Sequence, residues 1–193
     1  MDTEQLAEIS RQDFLINSSF CGVFARNRLP ASLQNNSIYY VNDQDDSKSG
    51  NHWFLISSKG EKSVQFMCSF GSKPKHASII RSLHSLGKPV VYNQKRLQSF
   101  ESGVCGYHCI FFAFHLCRDF TMDQIIDKYY SDTGYSNTGV GSDSGGGGSG
   151  SGIVGIDAAA AAEATYLRND LRMFHFIKTV FGLKEEFPLA IDV

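Results

Sequence analysis

The sequence predicts an α+β domain in which a central mixed or antiparallel sheet packs against helices. Three observations support this class. Segments rich in β-branched and aromatic residues dominate the first half of the chain, and segments with helical spacing of apolar residues follow them. The chain has 193 residues, of which 42% are hydrophobic, so it can bury one sizeable core but is too short to suggest two. We therefore expect a single domain over residues 1–193.

The strand segments are short and are separated by polar turns. Those with clear strand composition cover residues 37–41, 52–56, 64–70 and 89–92. A short turn at residues 58–62 joins the second and third of them, so we expect this pair to form an antiparallel hairpin. Upstream, residues 20–29 are expected to form a partly buried segment that ends in a turn at Pro30.

The helical segments carry apolar residues at spacings of three and four. They are expected at residues 3–9, 77–86, about 105–118, 122–130 and 158–180. Thr121 is placed to cap the fourth of these helices. The last helix carries an apolar stripe that should dock it on the domain. The members of this stripe are Leu171, Phe174, Ile177 and Phe181.

Between the last two helices, at about residues 131–160, the composition changes to Gly, Ser, Asp and Thr, with the run GGGGSGSG at 145–152. Such a segment buries too little apolar surface to offset the entropy that is lost on ordering. We therefore expect a flexible insertion. Its composition is compatible with an engineered linker and with a native low-complexity segment.

The charge composition gives no broad footprint for nucleic acid, because the net charge is −2. Basic residues do cluster locally, at Lys73, Lys75, His76, Arg81, Lys88, Lys95 and Arg96. A solvated helix face is the favoured interpretation of this cluster, and a local DNA contact is the alternative.

The five cysteines suggest a reducing compartment, because their number is odd and their spacing fits neither a disulfide framework nor a zinc site. They are Cys21, Cys68, Cys105, Cys109 and Cys117. The first 14 residues include acidic side chains where a signal peptide needs basic ones, and no apolar run approaches membrane-spanning length. An intracellular protein without membrane attachment is expected.

A candidate nucleophile lies in residues 98–116, QSFESGVCGYHCIFFAFHL. Cys105 follows a polar lead-in and begins an apolar run that is typical of a buried helix. The N–H groups and the positive dipole end of such a helix favour a thiolate. Taken alone, a cysteine in this setting is more often a small core residue, and Cys109 and Cys117 are interpreted in that way. His108 and His115 on the same helix are interpreted as satisfied or surface residues.

A cysteine nucleophile also needs a base and a pair of donors for the substrate oxygen. His52 begins a predicted strand and is the candidate base, and Trp53 beside it could shield the imidazole from water. Gln98 lies seven positions before Cys105, where its amide could point with the Cys105 N–H toward one oxygen.

In this order, His52-Trp53, Ser69-Phe70-Gly71, Gln98 and Cys105-Gly106 resemble the adenovirus-type cysteine proteases. The similarity is greatest to the maturation proteases of Maverick/Polinton elements and adintoviruses, and lower to the ubiquitin-like-protein proteases of the same clan. The blocks that carry it are GVFARNRLP at 22–30, YYVND at 39–43, GNHWFLI at 50–56, SFG at 69–71, QSFESGVCGYHCIFF at 98–112 and NDLRMFHFIKTVF at 169–181. Residues 131–165 lie outside the resemblance.

The resemblance implies a papain-like core with permuted order, in which the histidine precedes the cysteine, and thiolate chemistry on a peptide bond. Carried over to this chain, Cys105 would be the nucleophile, and His52 would act first as base and then as acid. Gln98 would donate to the oxyanion together with the Cys105 backbone N–H. Trp53 and Gly106 would shield and line the site.

One position departs from the family pattern. Relatives carry an acidic residue just before Ser-Phe-Gly, which orients the histidine and stabilises its imidazolium, whereas this chain has Cys68 there. A thiol is a weak acceptor. Three explanations are open: a Cys-His dyad suffices, another acceptor such as Ser69 or a nearby carboxylate substitutes, or the protein is a weakly active copy.

The resemblance further implies protein substrates, namely capsid or other virion precursors of a Maverick-like element. Cleavage would take place in the host nucleus or cytoplasm, or inside the assembling particle, by a monomer without a metal or cofactor. Some relatives are stimulated by DNA and a peptide, so a weak activator of either kind is left open. Two alternatives remain: a protease that processes ubiquitin-like proteins, and a weakened pseudoprotease that acts as a binding protein, as Cys68 suggests.

Overall fold

A mixed sheet of five strands forms the centre of the computed structural model, which describes residues 1–60, 62–130 and 154–184. The strands are β1 Phe20–Ala25, β2 Ile38–Asn42, β3 Trp53–Ser57, β4 Val64–Cys68 and β5 Val90–Tyr92. They lie side by side in chain order. The outer pairs β1–β2 and β4–β5 are parallel, and the inner pairs β2–β3 and β3–β4 are antiparallel. The predicted mixed α/β class and the predicted hairpin of β3 and β4 are thus confirmed.

The central strands are buried on both faces, which explains why their sequences are apolar without clear alternation. One face contributes Ile38, Tyr40, Leu55 and Met67 to the larger hydrophobic core. The opposite face contributes Tyr39, Val41, Ile56, Phe66 and Cys68 to a second, smaller core. Successive side chains of a strand therefore enter different cores.

Six helices are described in these ranges. They are α1 Thr3–Gln12, α2 Phe14–Asn17, α3 Ala77–His84, α4 Cys105–Leu116, α5 Met122–Tyr130 and α6 Val154–Phe181. Helix α3 covers the smaller core, and the side chains of α1, α2, α4, α5 and α6 contribute to the larger one. None of the helices in the described part of the chain is both long and apolar enough to cross a lipid bilayer.

Helix α4 is central, because eleven of its residues are buried. It packs against β3 on one side and against α1, α5 and α6 on others. A helix that is apolar on all sides is stable only when it is surrounded in this way. Its N-cap residue, Val104, makes no side-chain hydrogen bond, so no side chain caps the end of the helix at which Cys105 lies.

Helix α5 has the predicted bounds, and Thr121 caps it by exchanging hydrogen bonds with Gln124. Helix α6 begins earlier than predicted, at Val154, so residues 154–160 of the predicted insertion are helical. The rest of that insertion, residues 131–153, lies outside the described part of the chain.

The predicted apolar stripe of α6 is wrong at Leu171, whose side chain is 46% exposed. The other predicted members are confirmed, because Phe174 and Ile177 are buried and Phe181 packs against the core, and Met173 joins them on the buried side. The same face also buries Asp170, a polar residue that the spacing of apolar residues alone would not place there. The helix is therefore rotated relative to the predicted orientation, so that Asp170 faces the core and Leu171 faces solvent.

The side chain of Asn93 closes the end of β4. Its Oδ1 accepts a hydrogen bond from the Cys68 N–H at 2.8 Å, and its Nδ2 donates to the Cys68 carbonyl at 2.7 Å. These are the two bonds that a neighbouring strand would supply. Asn93 is buried. The Cys68 carbonyl also accepts from the Gly71 N–H at 2.8 Å, so the contact that depends on Asn93 is the one to the Cys68 N–H. Asn93 therefore fixes the backbone at Cys68.

Asn93→Ala should lower the free energy of unfolding by about 1–3 kcal/mol, because it leaves the buried N–H of Cys68 without its partner, while the Cys68 carbonyl keeps the Gly71 N–H. Urea denaturation measures this loss. Asn35→Ala is the matched control, since Asn35 is exposed and its side chain bonds, within the described ranges, to Lys88. Its effect should stay within about 0.5 kcal/mol. Equal losses in the two variants would contradict the role of Asn93.

Candidate active site

A cleft of about 740 Å³ brings the main candidate residues together. Its lining includes His52, Trp53, Gln98, Cys105 and residues 1–3. The strand directions explain this meeting, because β1, β2 and β4 end and β3 begins at the same edge of the sheet. The start of α4 and the loop before it complete the cleft. Residues more than fifty positions apart in sequence thus face one space.

Cys105 is the first residue of α4 and lies beside the start of β3. Burial raises the pKa of its thiol. The backbone N–H groups of Trp53, Gly106 and Cys105 itself lower the pKa, as does the α-amino group of Met1, but they do not outweigh burial. The expected stabilising donors are therefore present, yet the thiol is protonated at neutral pH. Burial therefore opposes the stabilised thiolate that the sequence suggested.

His52 lies in an aromatic environment at the edge of the cleft. Its ring stacks on Phe70 at a centroid distance of 4.7 Å and meets the edge of Phe54 at 4.9 Å. Burial lowers its pKa from 6.5 to about 4, although the nearby charge of Asp43 acts in the opposite direction. Within the described residues, no hydrogen bond joins the His52 ring to the Cys105 thiol.

Cys68 occupies the position next to His52 at which the family pattern has an acid. Its Sγ lies 3.4 Å from His52 Nε2. Burial raises the pKa of the Cys68 thiol, so this partner is neutral. The two substitutes considered from the sequence do not reach the ring: the Ser69 hydroxyl donates to Gln98, and the Asp43 carboxylate accepts from the His52 backbone N–H. Within the described ranges, the ring's hydrogen-bonding partner is thus a thiol.

Gln98 is held on both sides of its amide. Its Oε1 accepts from the Ser69 hydroxyl at 2.6 Å, and its Nε2 donates to the Ser102 carbonyl at 2.7 Å. The backbone is fixed as well, since the Gln98 N–H donates to the Ser69 carbonyl. The side chain is buried but lines the cleft with Cys105. Its orientation is therefore set before any substrate arrives.

The turn after β4 connects His52 with the Gln98 segment. Phe70 supplies the ring that stacks on His52. Gly71 has a φ of +70°, and a Cβ atom there would lie 2.9 Å from the Lys95 carbonyl carbon. Only glycine permits this backbone approach without strain. In the Ser-Phe-Gly motif, Ser69 therefore holds the Gln98 amide, Phe70 stacks on His52 and Gly71 permits the close approach to Lys95.

Trp53 and Gly106 contact the beginning of the chain. The Trp53 Nε1–H donates to the Met1 carbonyl at 3.1 Å. A Cβ atom added at Gly106 would lie 2.9 Å from Met1 Sδ, so glycine allows the methionine to pack there. Trp53 and Met1 line the cleft, whereas Gly106 lies behind Met1. The rings that cover the His52 imidazole belong to Phe54 and Phe70 rather than to Trp53.

The sequence did not single out a buried polar cluster behind the cleft. His108 Nε2 lies 2.8 Å from Asp170 Oδ1, and its Nδ1 lies 3.0 Å from the Tyr129 hydroxyl. Asp170 and His108 are completely buried. His108 is thus a satisfied residue, as expected. Asp170 was recognised only as part of a similar sequence block, and the one signal available was a polar pair, Asn169-Asp170, within an otherwise buried helix.

Cys109, Cys117 and His115 are buried on α4 or at its end, whereas Cys21 is half-buried on β1. Cys109 is fully buried, and its pKa is raised well above the usual value by burial. Burial raises the pKa of Cys117 to about 11. The His115 Nδ1 donates to the Phe111 carbonyl at 2.9 Å. Among the described residues, no group of three or more His, Cys, Asp or Glu side chains is arranged to hold a metal ion.

The basic cluster is not a helix face, because only Arg81 of its members lies in a helix. Lys73 lies over Tyr92, and Lys95 lies over Tyr130. The Arg96 guanidinium lies between two aromatic rings, which belong to Phe100 at 3.4 Å and Tyr166 at 4.2 Å. The favoured interpretation of this cluster was therefore wrong, since its residues are distributed over loops and contact rings.

A scan against models of known protein families and a search among characterised proteins find no match for this chain. The cleft combines a thiol at a helix N-terminus, an imidazole and a fixed amide donor. These groups can support nucleophilic attack on a carbonyl carbon with stabilisation of the oxyanion.

The depressed pKa of His52 predicts a specific loss of stability in acid. Below pH 6.5 the unfolded chain binds a proton at this residue, whereas the folded protein does so only near pH 4. Stability should therefore fall by about 3 kcal/mol as the pH drops through this window. In His52→Gln this part of the loss should disappear, as measured by urea denaturation between pH 7 and pH 4.

His84→Gln is the control for this measurement, because His84 is an exposed residue of α3. Its pH dependence of stability should match that of the wild type. If His52→Gln also loses stability in acid as steeply as the wild type, then the His52 imidazole is not held neutral by burial.

Proposed function

We propose that the protein is a cysteine endopeptidase of the adenovirus type, with a permuted papain-like core. The observation that carries this proposal is the meeting of Cys105, His52 and Gln98 in one cleft, with Cys105 at the N-terminus of a buried helix. The chain order of these residues and the surrounding blocks resemble that class. The five-stranded mixed sheet with helices on its faces is compatible with it.

The pKa shifts support a mechanism that starts from neutral groups. The Cys105 thiol is protonated and the His52 imidazole is unprotonated at neutral pH. When the sulfur attacks the carbonyl carbon, His52 takes the thiol proton and the carbonyl π electrons move to the oxygen. The Cys105 backbone N–H and the second N–H of the Gln98 amide then stabilise the oxyanion.

Collapse of this intermediate breaks the C–N bond. The His52 imidazolium gives its proton to the departing amine, which leaves an acyl group on the Cys105 sulfur. Water then adds to the thioester while His52 accepts its proton. Release of the acid and return of the proton to the sulfur restore the neutral pair. Neither a metal nor a cofactor takes part in this sequence of steps.

The Cys68 thiol makes the imidazolium less favourable than a carboxylate would. A neutral sulfur at 3.4 Å can orient the ring through Nε2 but adds little charge stabilisation. The Cys-His dyad is therefore proposed to work without an acid. This predicts a slow enzyme rather than an inactive one.

The proposed substrates are extended segments of protein precursors, in particular capsid or virion proteins of a Maverick-like element inside the cell or the particle. The resemblance supports this substrate class. The protein is proposed to act as a monomer, with DNA or a peptide as a weak activator.

A second candidate function is a binding protein with little or no catalysis. Three observations favour it: the thiol partner of His52, the raised pKa of Cys105 and the lowered pKa of His52. In such a protein the cleft would still bind an extended chain but would not cleave it. The following experiments distinguish the two functions.

Cys105→Ala should abolish cleavage of capsid-precursor peptides, with a loss of at least about 10³-fold, because the nucleophile is removed. Cys109→Ala is the matched control, since this neighbouring thiol is buried in the core, and it should retain activity. Site-resolved alkylation by iodoacetamide should label Cys105 increasingly as the pH rises above 7. Cleavage that persists in Cys105→Ala overturns the proposal, and binding without cleavage by the wild type favours the second candidate.

Cys68→Asp should raise kcat by about tenfold or more, because a carboxylate next to Nε2 stabilises the imidazolium. The rise should be accompanied by faster alkylation of Cys105 near pH 7. Cys68→Ser keeps a neutral side chain of similar size and should show no gain. Equal activities of the Asp and Ser variants, with both proteins folded by circular dichroism, would mean that charge next to His52 does not limit the reaction.

A further inference from the structure

The loop at residues 98–104, which carries Gln98 and leads to Cys105, is tied to helix α6 by Asp170. Its Oδ2 accepts from the Ser99 N–H at 2.9 Å and from the Ser102 hydroxyl at 2.6 Å. Its Oδ1 lies 2.8 Å from His108 Nε2, on the helix that begins with Cys105. One fully buried carboxylate therefore connects the loop to the nucleophile's own helix.

Glu163 makes a second connection to the same loop. Its Oε1 accepts from the Ser99 hydroxyl at 2.6 Å and from the Phe100 N–H at 2.9 Å. Both oxygens also pair with Arg96, whose Nε–H donates to the Gln98 carbonyl at 2.8 Å. Burial raises the pKa of Glu163, but the hydrogen bonds from Ser99 and Arg96 outweigh it and the net pKa is lowered. This carboxylate is thus ionised when it holds the loop.

The carboxylates of Glu163 and Asp170 lie on one face of α6. They are seven residues apart, which is about two helical turns, so they project toward the same side. The loop crosses this side with Ser99 in contact with both. Ser102, held by Asp170, offers the carbonyl that accepts from the Gln98 amide. The orientation of the Gln98 amide therefore depends on α6 through Ser102.

We propose that Asp170 and Glu163 are positioning residues that hold the 98–104 loop so that Gln98 and the Cys105 N–H face the reacting carbonyl. This inference deepens the proposed peptidase function and rests on it. Helix α6 lies after the 131–153 segment, and the part of it whose side chains are described contributes no residue to the lining of the cleft. Its polar contacts to the site run through the loop and through His108, and its apolar side chains pack on α4, as Phe174 does on Tyr107.

The chemistry of the contacts explains why an amide cannot replace these carboxylates. Asp170 receives three donors and Glu163 receives donors from three residues. An Asn or Gln in the same place has one acceptor oxygen, and its NH₂ group would face at least one of those donors. Each substitution therefore breaks contacts to the loop without a change in side-chain size.

The experiment compares full-length wild type with Asp170→Asn, Glu163→Gln and Arg168→Gln. Arg168 is the matched control, because it lies on α6 and, among the described residues, its side chain bonds within that helix. In Asp170→Asn and Glu163→Gln we expect backbone amides of residues 98–104 to exchange with deuterium about tenfold faster or more. We also expect kcat to fall by about 10- to 100-fold while KM changes by less than about threefold. Arg168→Gln should match the wild type.

Glu163→Gln keeps the proposal testable if Asp170→Asn does not fold, because the Glu163 side chain is 27% exposed and lies near the surface. A merely structural role would lower the thermal midpoint but leave kcat of the folded protein unchanged. Loop exchange equal to the wild type in the folded variants, or faster exchange with unchanged kcat, would overturn the positioning role.

Failure of the peptidase proposal can be told apart from failure of this inference. If the wild type cleaves no peptide and Cys105 is not alkylated selectively, the proposed function is lost. The exchange measurement needs no activity and still decides whether α6 holds the loop. Faster exchange confined to residues 98–104 in both variants, with none in Arg168→Gln, supports the holding contacts; unchanged exchange refutes them.

Discussion

The packing of helix α4 against strand β3 is the contact on which the rest of the site depends. The helix is buried on nearly all sides, so it cannot turn or slide without opening the core. Its first residue is Cys105, and the beginning of β3 lies beside it, where the Trp53 N–H reaches the thiol. His52 precedes that strand by one residue. The position of the candidate nucleophile relative to the candidate base is therefore a consequence of core packing.

Much of this arrangement could be predicted from local pattern. The apolar run after Cys105 predicted α4, and the β-branched segments predicted the hairpin of β3 and β4. The parallel pairing of β1 with β2 and of β4 with β5 could not be predicted in this way, because it depends on long-range contacts that a single strand does not encode. The candidate residues His52, Gln98 and Cys105 were identified from their order in the chain, and they do meet in one cleft.

The polar contacts behind the cleft were not predictable, since a carboxylate in a helix usually faces water. Asp170 is buried only because the Ser99 N–H, the Ser102 hydroxyl and His108 supply donors from other elements. The exposure of Leu171 was not predictable for the same reason, because the helix orients the neighbouring Asp170 toward the core and Leu171 toward solvent. The protonation of Cys105 was missed for a related reason: the helix N-terminus is visible in the sequence, whereas the depth of burial is not.

The raised pKa of Cys105 also bears on chemical durability. Peroxide attacks thiolates, and a thiolate that is oxidised beyond the sulfenic acid is lost irreversibly. A thiol that remains protonated and largely covered reacts slowly with such oxidants. In the proposed peptidase, the burial that opposes thiolate formation would slow the first step and would also protect the sulfur from oxidation.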